Sequence, residues 1–409
     1  MVHTDISPVE ATKRRLIWTL FTGNAIGSTA YIGVATVAAL IAKEITGSTG
    51  LAGLPGATGT LGVAAGAAIL SLISYRLGRR PAFTLGYALA VFGAALVVGS
   101  IISQRFEILL VGMLAIGIGR SVGQLARYAA GDLRSEERRA SAISLIVWAA
   151  TIGAVVGPPL IGPTGALAEA LGFDKLVGPV AVAVIGFALA SSLMLIGLRP
   201  DPLSLAATEG GGKVGTPDRL GPLLSSRTVQ LSIGAIVISQ VVMVLVMVMT
   251  PIHIEDNGGD LGTIGWVMMA HTLGMFAIAP ITGLLIGRLG SKRMIWVGVG
   301  TFLAACGLAT TATTASTPIL LVSMFLLGVA WNFGFVSGST LLQTGQSIAN
   351  RLKLQGFADS TAWVSSAIAA ASSGVILAAT SYSTLAMLGI GLALLLVVPL
   401  TRWRTPSPA

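Results

Sequence analysis

Three residues capable of chemistry lie inside long apolar runs: Arg120, His271 and Asp359. A carboxyl group taken out of water can have its pKa raised toward neutrality, and so can bind and release a proton. Histidine titrates near neutrality without such help, whereas arginine keeps its charge and serves polar recognition or tunes a neighbouring group. Arg120 lies thirteen residues beyond Glu107, which is about 20 Å along a helix rising about 1.5 Å per residue. A lipid-facing arginine at that depth costs at least about 2.5 to 3.5 kcal/mol, so Arg120 should face protein or water. Gln124, Arg127 and Gly131 continue its stripe at helical spacing. Asp359 is the one acid within an apolar run. It reads either as a proton site or as a charge complementing the positive start of its helix. His271 reads either as a coupling site or as a histidine bonded within a helix bundle.

Sparser polar residues share faces with large polarizable ones. The stripes are Asn24, Ser28 and Tyr31; Gln240, Met243, Met247 and Thr250; Met268, His271 and Met275; Asn332, Phe335, Ser339 and Gln343; and Asp359, Trp363 and Ser366. Methionines and aromatics with few hydrogen-bonding groups suit adaptable binding of amphipathic molecules, although ordinary helix packing accounts for any single stripe. The lone cysteine, Cys306, permits neither an intramolecular disulfide nor a cysteine metal cluster. No Gly-x-x-x-x-Gly-Lys-Ser/Thr loop is present to bind ATP phosphates, which disfavours a primary pump.

The elements that position these residues follow from composition. In 409 residues 54% are hydrophobic and 10% charged, against roughly 25% charged in an average soluble domain. A hydrocarbon core of about 30 Å needs about 20 apolar residues of helix. Twelve segments suffice, near 16–42, 51–75, 81–103, 107–131, 140–165, 177–198, 229–251, 262–287, 294–315, 318–343, 354–380 and 383–401. With the amino terminus inside, only Lys43, Arg105 and Lys175 of the twenty-five basic residues fall outside. The positive-inside rule then puts both termini in the cytoplasm. The net charge of +9 is therefore a topology signal rather than a nucleic-acid footprint. The apolar stretch that follows Lys13-Arg14-Arg15 is much longer than a signal-peptide core and lacks a convincing cleavage site, so the first helix is expected to remain in the mature protein. Residues 199–228, with Glu209-Gly210-Gly211-Gly212-Lys213 and four prolines, read as a flexible linker between two halves.

Each half carries a related loop between its second and third spans. These are Tyr75-Arg76-Leu77-Gly78-Arg79-Arg80 and Gly287-Arg288-Leu289-Gly290-Ser291-Lys292-Arg293, and the 212-residue offset between Gly78 and Gly290 also brings Arg120 onto Asn332. A six-helix repeat is the sequence mark of a duplicated transporter. At these loops the chain resembles the major facilitator superfamily, whose signature is approximately Gly-x-x-x-Asp-Arg-x-Gly-Arg-Lys/Arg. The resemblance implies a latch at the cytoplasmic face formed by Arg76, Gly78, Arg79, Arg80, Arg288, Gly290 and Lys292. Alternatively, the arginines only set topology. Ser71 replaces the usual leading glycine, and Tyr75 and Gly287 replace the usual acid, so a latch relying on that acid cannot work unchanged. Asp132 offers a substitute partner for Arg76 or Arg79. In the fifth span, Gly153-Ala154-Val155-Val156-Gly157-Pro158-Pro159-Leu160-Ile161-Gly162 resembles the antiporter signature of drug-exporting members, with Gly153, Gly157 and Pro158 forming a close, bent interface. The resemblance further implies a proton- or substrate-handling role for Arg120. Many drug–proton antiporters of the superfamily carry an acid in the first span, where this chain has none.

The expected fold is an all-α integral membrane protein with two pseudo-symmetric six-helix bundles, residues 1–198 and 229–409, joined by 199–228. The expected function is alternating-access secondary transport, exporting amphipathic organic compounds in exchange for protons. Uptake or facilitated diffusion of a small metabolite is the rival, with a receptor or scaffold behind it. The chain is expected to be no enzyme, to need neither cofactor nor metal, and to bind no nucleic acid. It is expected to work as a monomer in the cell (inner) membrane.

Overall fold

Apolar runs of about twenty residues satisfy their backbone groups in lipid only by forming helices or closed barrels, and this chain forms helices. The computed structural model describes residues 8–134, 136–207, 218–312, 317–344, 346 and 348–402. Among them are twelve helical stretches long and apolar enough to cross a membrane, matching the twelve expected segments. The protein is thus an all-helical, multi-pass membrane protein.

Two compact units divide the chain: Met1–Val37 with Thr58–Gly212, and Ala38–Ala57 with Lys213–Ala409. Helix α1 (Pro8–Thr46) begins in the first unit and ends in the second, and α2 (Leu54–Leu77) does the reverse. Helix α1 starts well before residue 16, because hydropathy finds the lipid span whereas Thr12, Lys13 and Arg14 extend the helix beyond it.

In the first unit α3 (Arg79–Ser103) packs on α4 (Phe106–Asp132) and on α7 (Val177–Gly197). Glycines let α2 and α4 touch backbone to backbone: a Cβ on Gly117 would lie 2.0 Å from the Gly59 carbonyl oxygen, and one on Gly62 2.2 Å from that of Leu114. Such small-residue contacts replace the hydrophobic drive that lipid cannot supply. The fifth span breaks where its prolines remove backbone donors. Helix α5 (Glu136–Val156) ends before Gly157, a 3₁₀ turn covers Pro158–Leu160, and α6 (Ile161–Ala170) follows.

Short helices α8 (Pro202–Ala207) and α9 (Leu220–Leu224) occupy part of the stretch expected to be a flexible linker. Near its end, Asp218 exchanges hydrogen bonds with Asn350, accepting from its amide at 2.7 Å, and the Lys353 ammonium donates to the Asp218 carbonyl at 2.8 Å.

The second unit contains α10 (Arg227–Met247), α11 (Thr250–Asp256), α12 (Leu261–Phe276), α13 (Ala279–Leu289), α14 (Ser291–Thr311), α15 (Thr317–Gln343), α16 (Ile348–Ala379), α17 (Tyr382–Leu394) and α18 (Val397–Arg402). Its α14–α15 and α14–α17 packing repeats the α3–α4 and α3–α7 packing of the first unit. Three of its spans are each broken into two helices, and Pro251, Pro280 and Pro399 lie in the first turns of α11, α13 and α18. The end of α1 joins this unit through Lys43, which pairs with Glu255 at 3.3 Å and also contacts Asp256. A Cβ on Gly53 would meet the Ala370 carbonyl oxygen of α16 at 1.7 Å.

Candidate functional site

In the first unit the polar face of α1 lies against α4 and α5. Asn24 is buried, and its Nδ2 donates to the Ile146 carbonyl at 2.8 Å. Its Oδ1 is pressed against Gly123, where a Cβ would come within 2.3 Å, and it has no hydrogen-bond partner. Ser28 is buried likewise, its hydroxyl unpartnered, beside Gly153. Half-buried Arg120 places its guanidinium carbon 4.9 Å from the centroid of the Tyr31 ring. Such a contact is worth about 0.5 to 2 kcal/mol and holds the cation against protein rather than lipid. Among the described residues Arg120 takes part in no ion pair. Half-buried Gln124 follows one turn later. Asn24, Tyr31 and Arg120 are therefore brought together, combining a fixed cation, an aromatic face and an unused amide oxygen.

The second unit presents a different surface. Trp331 donates its indole N–H to Gln240 Oε1 at 2.7 Å, which fixes the amide and leaves its NH₂ edge as the donor. Trp331 stacks on Phe335 with centroids 4.8 Å apart and meets Phe276 edge-on at 6.0 Å. Met243, Met275 and Met247 pack in the same cluster. Asn332, the counterpart of Arg120 in the repeat, is consumed internally: its amide donates to the Met275 carbonyl at 2.7 Å and its Oδ1 accepts from Thr282. The two units thus differ at equivalent places, with an open cation in one and a satisfied amide in the other.

His271 is fully buried and its Nδ1 lies 3.0 Å from the Met324 carbonyl. A carbonyl only accepts, so Nδ1 carries a hydrogen and donates it, while Nε2 is buried without a hydrogen-bond partner. Asp359 is half-buried and already engaged by a neighbour. It lies eleven residues beyond Ile348, where α16 begins, or about 16 Å along the helix. The helix-start reading of Asp359 is therefore corrected, since that effect fades within the first turn. Polar residues before residue 354 extend the helix past its apolar run. Met268 is buried, Trp363 is half-buried, and neither joins the Trp331 ring stack. Among the described residues no group of His, Cys, Asp or Glu could hold a metal ion.

A sequence model of the Major Facilitator Superfamily matches residues 20–254 and again 231–409. The chain belongs to the major facilitator superfamily. This is a family of transporters, not enzymes, and the chain is a secondary transporter with a small-molecule substrate. It is 35% identical over 396 residues to the uncharacterized MFS-type transporter YdeG of Bacillus subtilis strain 168, covering 95% of this chain and 92% of YdeG. It is 26% identical over 397 residues to the riboflavin transporter RfnT of Brucella anthropi, covering 97% of each. The crystal structure of a D-xylose–proton symporter has the same fold, with TM-score 0.71 and 18% identity over 94% of this chain and 96% of the symporter.

The superfamily loops take similar shapes in both units. Gly78 and Gly290 each precede a helix with positive φ, 103° and 84°, a conformation that favours glycine. Arg79 reaches Asp132 at 3.1 Å, Arg80 donates to the Leu195 carbonyl at 2.8 Å, and Arg76 is exposed. In the second loop Arg288 is exposed and Lys292 is half-buried and engaged. Gly153 and Gly157 abut the backbone of Ser28 and Thr29, where Cβ atoms would approach to 2.6 Å and 2.9 Å, and buried Pro158 opens the 3₁₀ turn. Sequence patterning missed Trp331 and Phe276. Trp331 falls one residue before the Asn332 stripe, and only its indole N–H marked it as needing a partner.

Proposed function

We propose that this transporter exports aromatic, amphipathic organic compounds in exchange for protons, working as a monomer with both termini cytoplasmic. The observation that carries the substrate class is the Trp331–Phe335 stack with the Gln240 amide fixed beside it. Flat rings gain area and stacking there at little conformational cost, and one donor edge selects a carbonyl or ring nitrogen. In the first unit Arg120 offers a charge to an anionic or acceptor-rich group, beside the Tyr31 ring. Asp359 and His271 are the groups able to take up a proton, and Arg120 tunes recognition or coupling. The Gly157-Pro158 break supports export, being the feature similar to drug-exporting members.

Uptake or downhill movement of an aromatic metabolite is the second reading. It is favoured by the likeness to the riboflavin transporter, which spans nearly the whole chain, and by the absence of an acid between residues 16 and 42, the apolar part of α1. Proteoliposomes loaded with riboflavin or with planar aromatic dyes separate the two. An acidic exterior should speed release of one or more of these compounds from vesicles holding the protein right side out. Release that ignores the pH gradient for every compound moves the function to the second reading.

A further inference from the structure

The loop between α2 and α3 lacks the acid usual in this superfamily, and Tyr75 at that place points into open surroundings, 84% exposed. A carboxylate nevertheless sits on the turn. Asp201, between α7 and α8 and directly before the latter, accepts from the Arg79 N–H through Oδ1 at 3.2 Å and from the Arg80 N–H through Oδ2 at 2.8 Å. The first N–H groups of a helix have no partner within the helix, and a carboxylate there satisfies both donors and the local dipole. The same Oδ1 accepts from Leu203 N–H at 2.8 Å, so one side chain caps two helices. Gly78 makes the approach possible: a Cβ there would lie 2.5 Å from Asp201 Oδ2 and 2.9 Å from its Cγ.

Everything around the turn depends on where residues 79 and 80 lie. The Arg79 side chain leaves the capped backbone toward Asp132 at the end of α4. The Arg80 Nε donates back to Leu195 near the end of α7, and Arg15 of α1 donates to the Arg199 carbonyl. The ends of α1, α3, α4 and α7 are thereby tied around one short segment. At the second loop the space around Gly290 is open, with nothing within 4 Å of a Cβ placed there.

We infer that Asp201 is a positioning residue of the transport machinery. It fixes the α2–α3 turn so that Arg79 meets Asp132, and it fastens the beginning of the central segment to the first unit. The inference rests on family membership and on contacts within the first unit. It stands whatever the substrate or coupling ion proves to be.

Amide hydrogen exchange and thermal melting of the full chain in lipid nanodiscs test it. Asp201→Ala should speed exchange at Arg79 and Arg80 about tenfold or more, and Gly78→Ala should do the same by expelling the carboxylate. Asp201→Asn, which keeps an acceptor oxygen, should restore part of the protection. The deciding comparison uses Asp132, which exchanges no hydrogen bond with Asp201 and is linked to it through Arg79. If Asp201 positions Arg79, the drop in melting temperature caused by Asp132→Asn should shrink by more than half in the Asp201→Ala background. Should Asp201→Ala fail to fold, Asp201→Asn carries the same comparison. Unchanged exchange at residues 79 and 80, or fully additive effects of the two substitutions, would overturn the inference.

Discussion

The contact between Gly53 and α16 sets a sharp steric test, because neighbouring glycines provide an internal scale. A Cβ at Gly53 would lie 1.7 Å from the Ala370 carbonyl oxygen and 2.8 Å from its carbon, whereas ordinary contact begins at 3.4 Å. The obstructing atoms are backbone, so no side chain can rotate away, and the two segments must part by about 1.7 Å. Overpacking costs about 1 to 3 kcal/mol, and a backbone collision belongs at the upper end, near 3 kcal/mol. The reciprocal Gly374 would place its Cβ 2.7 Å from the Thr49 carbonyl oxygen, a smaller overlap. At Gly56 the nearest atoms lie at 3.7 Å and 3.9 Å, already ordinary contacts. Alanine substitutions should therefore destabilise in the order Gly53, then Gly374, then Gly56, with Gly56→Ala within about 0.5 kcal/mol of wild type. Melting of purified protein, with membrane insertion checked for each variant, reads this order directly. Coincident melting of Gly53→Ala and Gly56→Ala would refute the close backbone approach.

Gly157→Leu should insert normally yet lose most transport, since leucine cannot fit against Thr29 on α1; wild-type flux in correctly inserted protein would remove the functional reading of the fifth span. Trp331→Phe keeps the ring but deletes the bond to Gln240, worth about 1 kcal/mol, so apparent affinity for aromatic substrates should fall about fivefold in a flux titration. At the start of α12, Asp260 accepts from Thr263 N–H, and hydrogen bonds from Thr263, chiefly its side chain, hold the carboxyl below the usual carboxylate range. A carboxyl with a lowered folded-state pKa stabilises above its unfolded value, near 4, and loses that contribution as pH falls through the folded one. Asp260→Ala should thus cost about 1 kcal/mol at neutral pH and progressively less below about pH 4, as melting against pH would show.

The twelve spans were legible because lipid demands apolar length, and the helix break at Gly157-Pro158 because proline removes a donor locally. The relation between the two loops was legible too, from the 212-residue offset of Gly78 and Gly290, and both glycines have positive φ. Asp201 was not, although Asp-Pro before Leu203 is a local capping signal. Its longer reach, to amides some 120 residues earlier, depends on how α7 returns to α3, which no local pattern encodes. The same holds for His271 and Asn332. Their types flagged them, but only packing shows that Asn332 is internally satisfied while His271 keeps one nitrogen without a hydrogen-bond partner. The joining of residues 38–57 to the second unit was likewise hidden, since both helices involved read as continuous spans.

Proton coupling is the claim on which the functional account turns, and flux under an imposed pH gradient measures it most directly. The comparison is wild type, Asp359→Asn, His271→Gln and the double variant in proteoliposomes, with riboflavin and the planar aromatic dyes as probes and melting as the control for folding. An amide keeps size and hydrogen bonding but cannot release a proton. Wild type should move one or more probes uphill in response to the gradient. One or both single variants and the double variant should lose that movement while keeping downhill exchange. Full uphill movement by the double variant would contradict the assignment of both residues, and a wild type indifferent to the gradient would contradict proton coupling itself.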